Sequence, residues 1–507
     1  MITKSNISFD TENKYISSEE YKKYPRRLIN EKNTGEDYIL LNNIEEAFDE
    51  FNITDGMTLS FHHHLRNGDY VLNMVMEVIK KRNLKNMIIA PSSIFPSNEI
   101  VAELIRSGNI VKIYTNYISG ETGKAIIEGS LKDKVYMCTH GGRARAIESG
   151  DIKIDVAFLG MPTVDKLANG TGKFGRSACG SIGYALSDVK YANKVVFVTD
   201  NFVDEVLENC EAEGKYCDAV CVVKEIGDPK GIVSGTTKIT KDPVGLKIAR
   251  NTAALLEEIG VLKEGFSMQT GAGGTSLATC SYVKEIMKKK NIKASFATGG
   301  ITGYFVDMMK EGLLKEIYDV QCFDLDAVKS YSENLNHHGM SASFYANPYD
   351  ENCIVNKLDF VILGATEIDL DFNVNVTTDS HGNIIGGSGG HADTANGANI
   401  TIIVTNLIKS RMPIVKKRVT TITTPGQDVD VLVTERGIAI NPLRKDLLEK
   451  LKNSKLNIMP IEKLLEISNS LTGLPKEQSH SDEIVGYVIY RDGSVIDYLY
   501  KKWNNWI

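Results

Sequence analysis

Asp155-Val-Ala-Phe-Leu-Gly160 returns further along the chain as Asp359-Phe-Val-Ile-Leu-Gly364, a shift of 204 residues (359 − 155). Each is a short, continuous apolar run closed by glycine, the pattern of a strand buried on both faces. Other pairs keep the same order. Gly108 with Ile113-Tyr114 is answered by Gly312 with Ile317-Tyr318, again 204 residues on, Lys80-Lys-Arg-Asn83 by Lys288-Lys-Lys-Asn291 and Gly56 by Gly265. Several matches in one order point to a duplicated domain, with small drifts in spacing left by loop insertions. Within each copy, strands such as Val195–Val198 and Ile400–Val404 alternate with helical segments such as Val71–Lys80. That alternation predicts an α/β fold with a mostly parallel sheet covered on both faces.

The reading divides the chain into an N-terminal arm or cap (1–50), a first α/β domain (51–235) and a second (236–507). The arm carries one helix near Ile44–Phe51, and the second domain includes a C-terminal extension of helices and a β-hairpin. The hairpin is signalled by Asp492-Gly493 between the alternating runs Ile484–Tyr490 and Ser494–Tyr498.

The 507 residues carry a formal charge of −7, with 24% charged and 42% apolar residues. No basic arm or aromatic-basic interleaving suggests nucleic acid, and no apolar run approaches the length of a membrane span. The N-terminus lacks the apolar core of a secretory signal. The eight cysteines are scattered and read as reduced thiols. The expectation is a soluble cytoplasmic protein.

Ligands of open α/β sheets bind beyond the carboxyl ends of strands. Three unusual loops are assigned to those ends. Gly271-Ala272-Gly273-Gly274 and Gly387-Ser388-Gly389-Gly390-His391 are built of small residues whose bare N–H groups suit an oxyanion, a phosphate or a thioester carbonyl. His62-His63-His64 leaves open metal ligation, packing and binding of an anionic substrate. Arg66 nearby favours the last, and no metal site is assigned. Arg143 and Arg145, in His140-Gly-Gly-Arg-Ala-Arg145, form a second cationic cluster or an exposed basic turn. Together these cations suit a di- or tricarboxylate. Gly387-Ser-Gly389-Gly-His-Ala392 fits a dinucleotide fingerprint, but no acidic residue follows at the required distance. Gly170-Thr-Gly172-Lys-Phe174 lacks the first glycine and the Ser/Thr of a P-loop. Glu435, in Val433-Thr-Glu-Arg-Gly437, would orient the cleft or form a structural ion pair. Glu333 is either a nucleophilic carboxylate or an ordinary surface residue.

Gln269–Gly274, Gly386–Asp393 and Val433-Thr-Glu-Arg-Gly-Ile-Ala439 resemble the coenzyme A transferases. Phe61-His-His-His-Leu-Arg66-Asn-Gly-Asp69-Tyr, Gly170-Thr-Gly-Lys-Phe-Gly175 and Gly386–Ala398 are similar, more closely, to citrate lyase alpha subunits, over nearly the whole length. The resemblance implies two tandem domains of the coenzyme A transferase type in an oligomeric complex with a beta subunit and an acyl carrier (gamma) subunit. It implies exchange of acetyl for citryl on the carrier's coenzyme-A-like thioester arm, with no cofactor bound covalently to this chain and acetyl-CoA as a surrogate substrate. Where related transferases carry a nucleophilic glutamate, this chain reads Gly300-Ile-Thr-Gly-Tyr304. That departure argues for direct attack of citrate on the thioester through a mixed anhydride. In that scheme the two glycine loops hold the oxyanions, His391 stabilises the thiolate or an oxyanion, and His62, His63, Arg66, Arg143 and Arg145 neutralise citrate. Tyr304 and Glu435 remain as orienting or structural residues. The rival readings are a stand-alone acyl-CoA:carboxylate transferase or acyl-CoA hydrolase, and a non-catalytic scaffold or ligand sensor on the same fold.

Overall fold

A computed structural model describes residues 37–233, 239–271, 273–474 and 480–502. The expected domain boundary at 235/236, most of the N-terminal arm and Ala272 lie outside the described residues.

The strands of the first large sheet are β1 (Ile39–Leu41), β2 (Thr58–Phe61), β3 (Met87–Pro91), β4 (Ile110–Thr115), β5 (Val135–Met137), β6 (Val156–Gly160), β7 (Lys194–Thr199) and β8 (Ala219–Val222). Those of the second are β9 (Ser267–Thr270), β10 (Ala294–Ile301), β11 (Leu314–Cys322), β12 (His337–Gly339), β13 (Phe360–Gly364), β14 (Ile400–Val404), β15 (Val431–Val433) and β16 (Ile438–Ile440). The C-terminal hairpin is β17 (Ile484–Ile489) and β18 (Val495–Tyr500). Five helices matter below: α1 (His140–Ser149), α2 (Gly274–Lys290), α3 (Leu325–Glu333), α4 (Ala342–Ala346) and α5 (His391–Gly397).

The sheet orders are β1-β8-β7-β6-β2-β3-β4-β5-β17-β18 and β12-β11-β10-β9-β13-β14-β15-β16. Seven positions correspond, with β2 matching β9 and β6 matching β13, so one topology is used twice. The duplication extends to backbone detail. The paired residues Gly56 and Gly265 (φ 84° and 80°), Asn83 and Asn291 (both 51°), and Gly108 and Gly312 (72° and 70°) all adopt left-handed conformations. Glycine and asparagine recur there because a Cβ penalises that region least in these residues. Asp155 accepts the N–H of Thr58 at the start of β2, and Asp359 accepts that of Ser267 at the start of β9, both at 2.8 Å. Asp165 gathers the N–H groups of Leu167 and Asn169, as Asp369 gathers those of Asp371 and Asn373.

Two parts of the sequence-based division change. The hairpin forms as expected about Gly493 (φ 97°), yet it completes the first sheet rather than the second domain: β17 runs parallel to β5, pairing Tyr487 with Tyr136. The edge of β5 offers unpaired backbone groups, and the chain end satisfies them. At the other edge β1 pairs in parallel with β8, so residues 39–41 belong to the first domain and not to a separate arm. The helix expected near Ile44 runs over Ile44–Glu50. Among the described residues no helix is long and apolar enough to cross a membrane.

Candidate active site

The two domains meet through reciprocal glycine turns. Gly386–Gly390 follows β13 and runs against the first domain. The Gly386 carbonyl accepts from the N–H of Ile118, the Gly389 N–H donates to the Asn116 carbonyl, and the Gly389 carbonyl accepts from the N–H of His140 at 2.8 Å. In the opposite sense, the turn after β6 enters the second domain, where the Gly183 carbonyl accepts from the N–H of Ala342 at 2.9 Å. A Cβ at Gly387 would lie 2.2 Å from the Asn116 carbonyl oxygen, and one at Gly183 would lie 2.1 Å from that of Met340. These glycines are required by the closeness of the two backbones. Gly180 and Gly183 escaped the sequence reading because Ser177-Ala-Cys-Gly-Ser-Ile-Gly183 is less densely glycine-rich.

Side chains from both domains gather beside this junction. The Tyr184 ring lies 4.2 Å from that of His140 and 4.7 Å from that of His63. Phe95 touches His63 at 5.8 Å. The Arg66 guanidinium lies 5.5 Å from the Phe95 ring and 4.9 Å from that of Phe323, which belongs to the second domain. Gln321 Nε2 donates to the His63 carbonyl across the same junction at 3.0 Å. On the far side Gln269 Nε2 donates to Tyr345 Oη at 2.7 Å, and that oxygen lies 2.6 Å from where a Gly390 Cβ would stand. The two glycine loops therefore approach one another through Gln269 and Tyr345.

The expected site residues separate into two groups. Arg66 stays available. It is half-buried, its Nε has no hydrogen-bond partner, and among the described residues no carboxylate pairs with it. Arg143 does not. It is 3% exposed and donates twice to Asp188 at 2.9 Å, and again to Ser60 and to the Ala90 carbonyl. Arg145 is bound to Asp151 and lies 5.7 Å from the Tyr349 ring, close under Gly493 of the hairpin turn. Both guanidinium groups, expected to face a ligand, are instead engaged by carboxylates of their own domain. An arginine deep in a fold must find a carboxylate nearby, and sequence shows the arginine but not its partner.

Burial disfavours the charged form of His62, His63 and His391. His62 Nε2 bonds to the Gly160 carbonyl at 2.8 Å and Nδ1 to His64, while His63 Nδ1 bonds to Ser92 Oγ. Burial pushes His62 down to about 4 and holds His63 and His64 well below the usual imidazole range. His391 is engaged at both nitrogens, by Thr424 Oγ1 at 2.7 Å and the Gly364 carbonyl at 2.9 Å, and burial lowers it to about 4. It anchors the loop and is not free to meet a thiolate. The imidazole at the glycine turn is instead His140. Its Nδ1 is buried without a partner, its Nε2 lies 3.3 Å from the position of a Gly389 Cβ, and burial pushes it to about 3.

The backbone donors also divide. The Gly271 N–H is taken by the Ile362 carbonyl and that of Gly389 by Asn116. The N–H groups of Gly273 and Gly274 at the start of α2, and those of Gly387, Ser388 and Gly390, have no acceptor among the described residues. Glu435 accepts the N–H of Leu407 at 2.9 Å and lies 3.7 Å from Arg436 Nε, so it ties the loop after β14 to the end of β15. Tyr304 packs beside Lys284 of α2, 5.7 Å from Nζ to ring. Glu333 is exposed at the end of α3, 4.0 Å from Lys329.

Known proteins resemble this chain over most of its length. The family model described as citrate lyase, alpha subunit (CitF), matches residues 37–502. The citrate lyase alpha chain of Haemophilus influenzae is 45% identical over 92% of this chain and 94% of its own length. That of Klebsiella pneumoniae is 42% identical, covering 91% of both chains. A crystal structure of a Streptococcus mutans protein described as a citrate lyase alpha subunit, in complex with citrate, superposes with a TM-score of 0.92 at 42% identity, over 98% of this chain and 96% of that one. A malonate decarboxylase hetero-tetramer from Pseudomonas shares the fold alone, at a TM-score of 0.61 and 13% identity over 85% of this chain and 87% of that one. A doubled α/β fold, matched over nearly its whole length, places the chain in a known group: it belongs to the citrate lyase alpha subunit family.

Proposed function

We propose that the chain exchanges citrate for acetate on an acetyl thioester carried by a small acyl carrier subunit, as the transferase component of a citrate lyase complex with a beta subunit. The observation that supports this reading most is a set of buried polar atoms with no partner. Arg66 Nε, Asn116 Oδ1, His140 Nδ1 and Gln269 Oε1 all lack one and all belong to residues gathered about the domain junction. Buried polar groups are normally satisfied, and citrate offers both carboxylates and a hydroxyl to satisfy them. Arg66 pairs with a carboxylate, and the two amide oxygens accept the hydroxyl or a water.

Chemistry follows from what the junction lacks. Tyr304 stands where related transferases carry a glutamate, Glu333 is on the surface and Glu435 is tied to Leu407. A citrate carboxylate oxygen therefore attacks the acetyl carbonyl, the C–S bond breaks, and the carrier thiolate leaves. The thiolate then attacks the citryl carbonyl of the mixed anhydride, whose C–O bond breaks to release acetate. No net proton is consumed. The chain holds the reactants in line and stabilises the oxyanions with the open N–H groups at Ser388, Gly390 and the start of α2.

The test is incubation of the chain with acetyl-carrier and labelled citrate. Release of acetate with formation of citryl-carrier, and no glutamyl adduct by mass spectrometry, is the expected result. An adduct on Glu333 or Glu435 overturns the direct route, and preference for free acetyl-CoA overturns the carrier assignment.

A further inference from the structure

Behind Phe323, where the first domain's turn packs so closely that a Cβ at Gly180 would lie 2.2 Å from Cys322 Sγ, Asp319, Cys322 and His337 gather on β11 and β12 of the second domain. One ligand atom from each lies within 4.8 Å of the other two. The gathering has a backbone cause. Between β10 and β11 the register skips a residue, Gly299 facing Asp319 while Gly300 faces Gln321. Val320 is the extra residue of a β-bulge, so Asp319 and Cys322, three apart, turn to the same side. β12 pairs His337 with Ile317, which brings the imidazole alongside Asp319. His337 Nε2 and Cys322 Sγ lie 3.1 and 2.9 Å from Asp319 Oδ2.

Two further observations concern the charge and hydrogen bonding of this cluster. Asp319 and the His337 side chain are fully buried, and among the described residues no lysine or arginine pairs with Asp319. Its second oxygen, Oδ1, has no hydrogen-bond partner, a costly state for a buried carboxylate. Behind the imidazole, His337 Nδ1 lies 3.0 Å from Ser330 Oγ, which also accepts from Asn334 Nδ2. That is the outer support a metal-ligating histidine needs.

We propose that Asp319, Cys322 and His337 form a binding site for a divalent transition metal of the zinc class. A thiolate, an imidazole and a carboxylate select zinc, or cobalt as its substitute, over magnesium or calcium. On binding, the thiol proton of Cys322 leaves to solvent. The imidazole proton shifts to Nδ1, where Ser330 Oγ accepts it, freeing Nε2 for the ion. The ion would fix the end of β11, whose neighbouring residues Gln321 and Phe323 hold the His63 carbonyl and the Arg66 guanidinium. The site thus braces the junction without touching substrate.

The test is independent of turnover. The full chain is loaded with Zn²⁺ or Co²⁺, freed of excess by gel filtration, and examined by elemental analysis and absorption spectroscopy. Retention of one equivalent, with a near-ultraviolet thiolate-to-cobalt band, is expected. Cys322→Ser should abolish the band, and Ser330→Ala should weaken retention about 10- to 100-fold. Cys353→Ser, a buried cysteine outside the cluster, should change neither. Failure to retain metal, or a cobalt spectrum unaltered by Cys322→Ser, overturns the site. If Cys322→Ser does not fold, absence of a thiolate band in the unsubstituted chain overturns it equally.

Discussion

The backbone N–H of His140 donates to the carbonyl of Gly389, and the pair belongs to different domains. The contact fixes the imidazole beside the glycine turn, at the point where side chains from both domains gather. Gly389 is held at φ 52°, which costs a residue with a side chain about 1–2 kcal/mol. Gly389→Ala should lower stability by about that amount. Its methyl group would also stand 3.3 Å from His140 Nε2 and displace that ring slightly, which should reduce turnover roughly several-fold. Calorimetry alongside the transferase assay checks this, and parallel losses in both would make the turn purely structural.

Arg66 and Arg143 look alike in sequence but should behave as opposites. Arg66→Met removes one charge-assisted contact with substrate, expected at about 1.5–3 kcal/mol, and should raise the citrate KM roughly 10- to 100-fold with little change in melting temperature. Arg143→Met leaves Asp188 buried without its partner, so stability should fall by about 3–5 kcal/mol. The citrate KM of the remaining folded protein should be unchanged. Steady-state kinetics combined with denaturant titration separates the two.

His391 gives a pH signature. Its folded value of about 4 lies below the ordinary 6.5, so the unfolded chain binds the proton more readily. The stability that the neutral ring contributes is complete above pH 6.5 and is lost as pH falls towards 4. Relative to His391→Gln, the unsubstituted chain should therefore weaken progressively across that window. Thermal unfolding of both proteins at matched pH values checks the sign.

Removing residues 481–507 should damage the first domain rather than the second. The truncation exposes the β5 edge and frees Arg145 from the hairpin turn. Aggregation through that edge is expected, with hydrogen exchange rising first in β4 and β5. A protected β5 in the truncated protein would refute the role of the hairpin.

The duplication was legible in sequence because its markers are local. Gly56, Gly108 and Asn83 recur as Gly265, Gly312 and Asn291 wherever the backbone must turn left-handed. The Asp492-Gly493 hairpin was legible for the same reason. Where that hairpin docks was not, since pairing with β5 depends on an open edge some 350 residues earlier (487 − 136 = 351). In the candidate site, the position of Arg66 and the glycine turn at strand ends was legible, but a sequence cannot show that Asp188 claims Arg143 or that Gly364 and Thr424 claim His391. His140 was visible only as part of a basic cluster. Its importance comes from Gly389, which reaches it from the other domain.

The docking of β17 on β5 also orders events during synthesis. A ribosome releases β17 only after everything between it and β5 has been made, so the first sheet waits with one border open until that strand emerges. A stalled or prematurely ended message would leave a product whose early half is the vulnerable one.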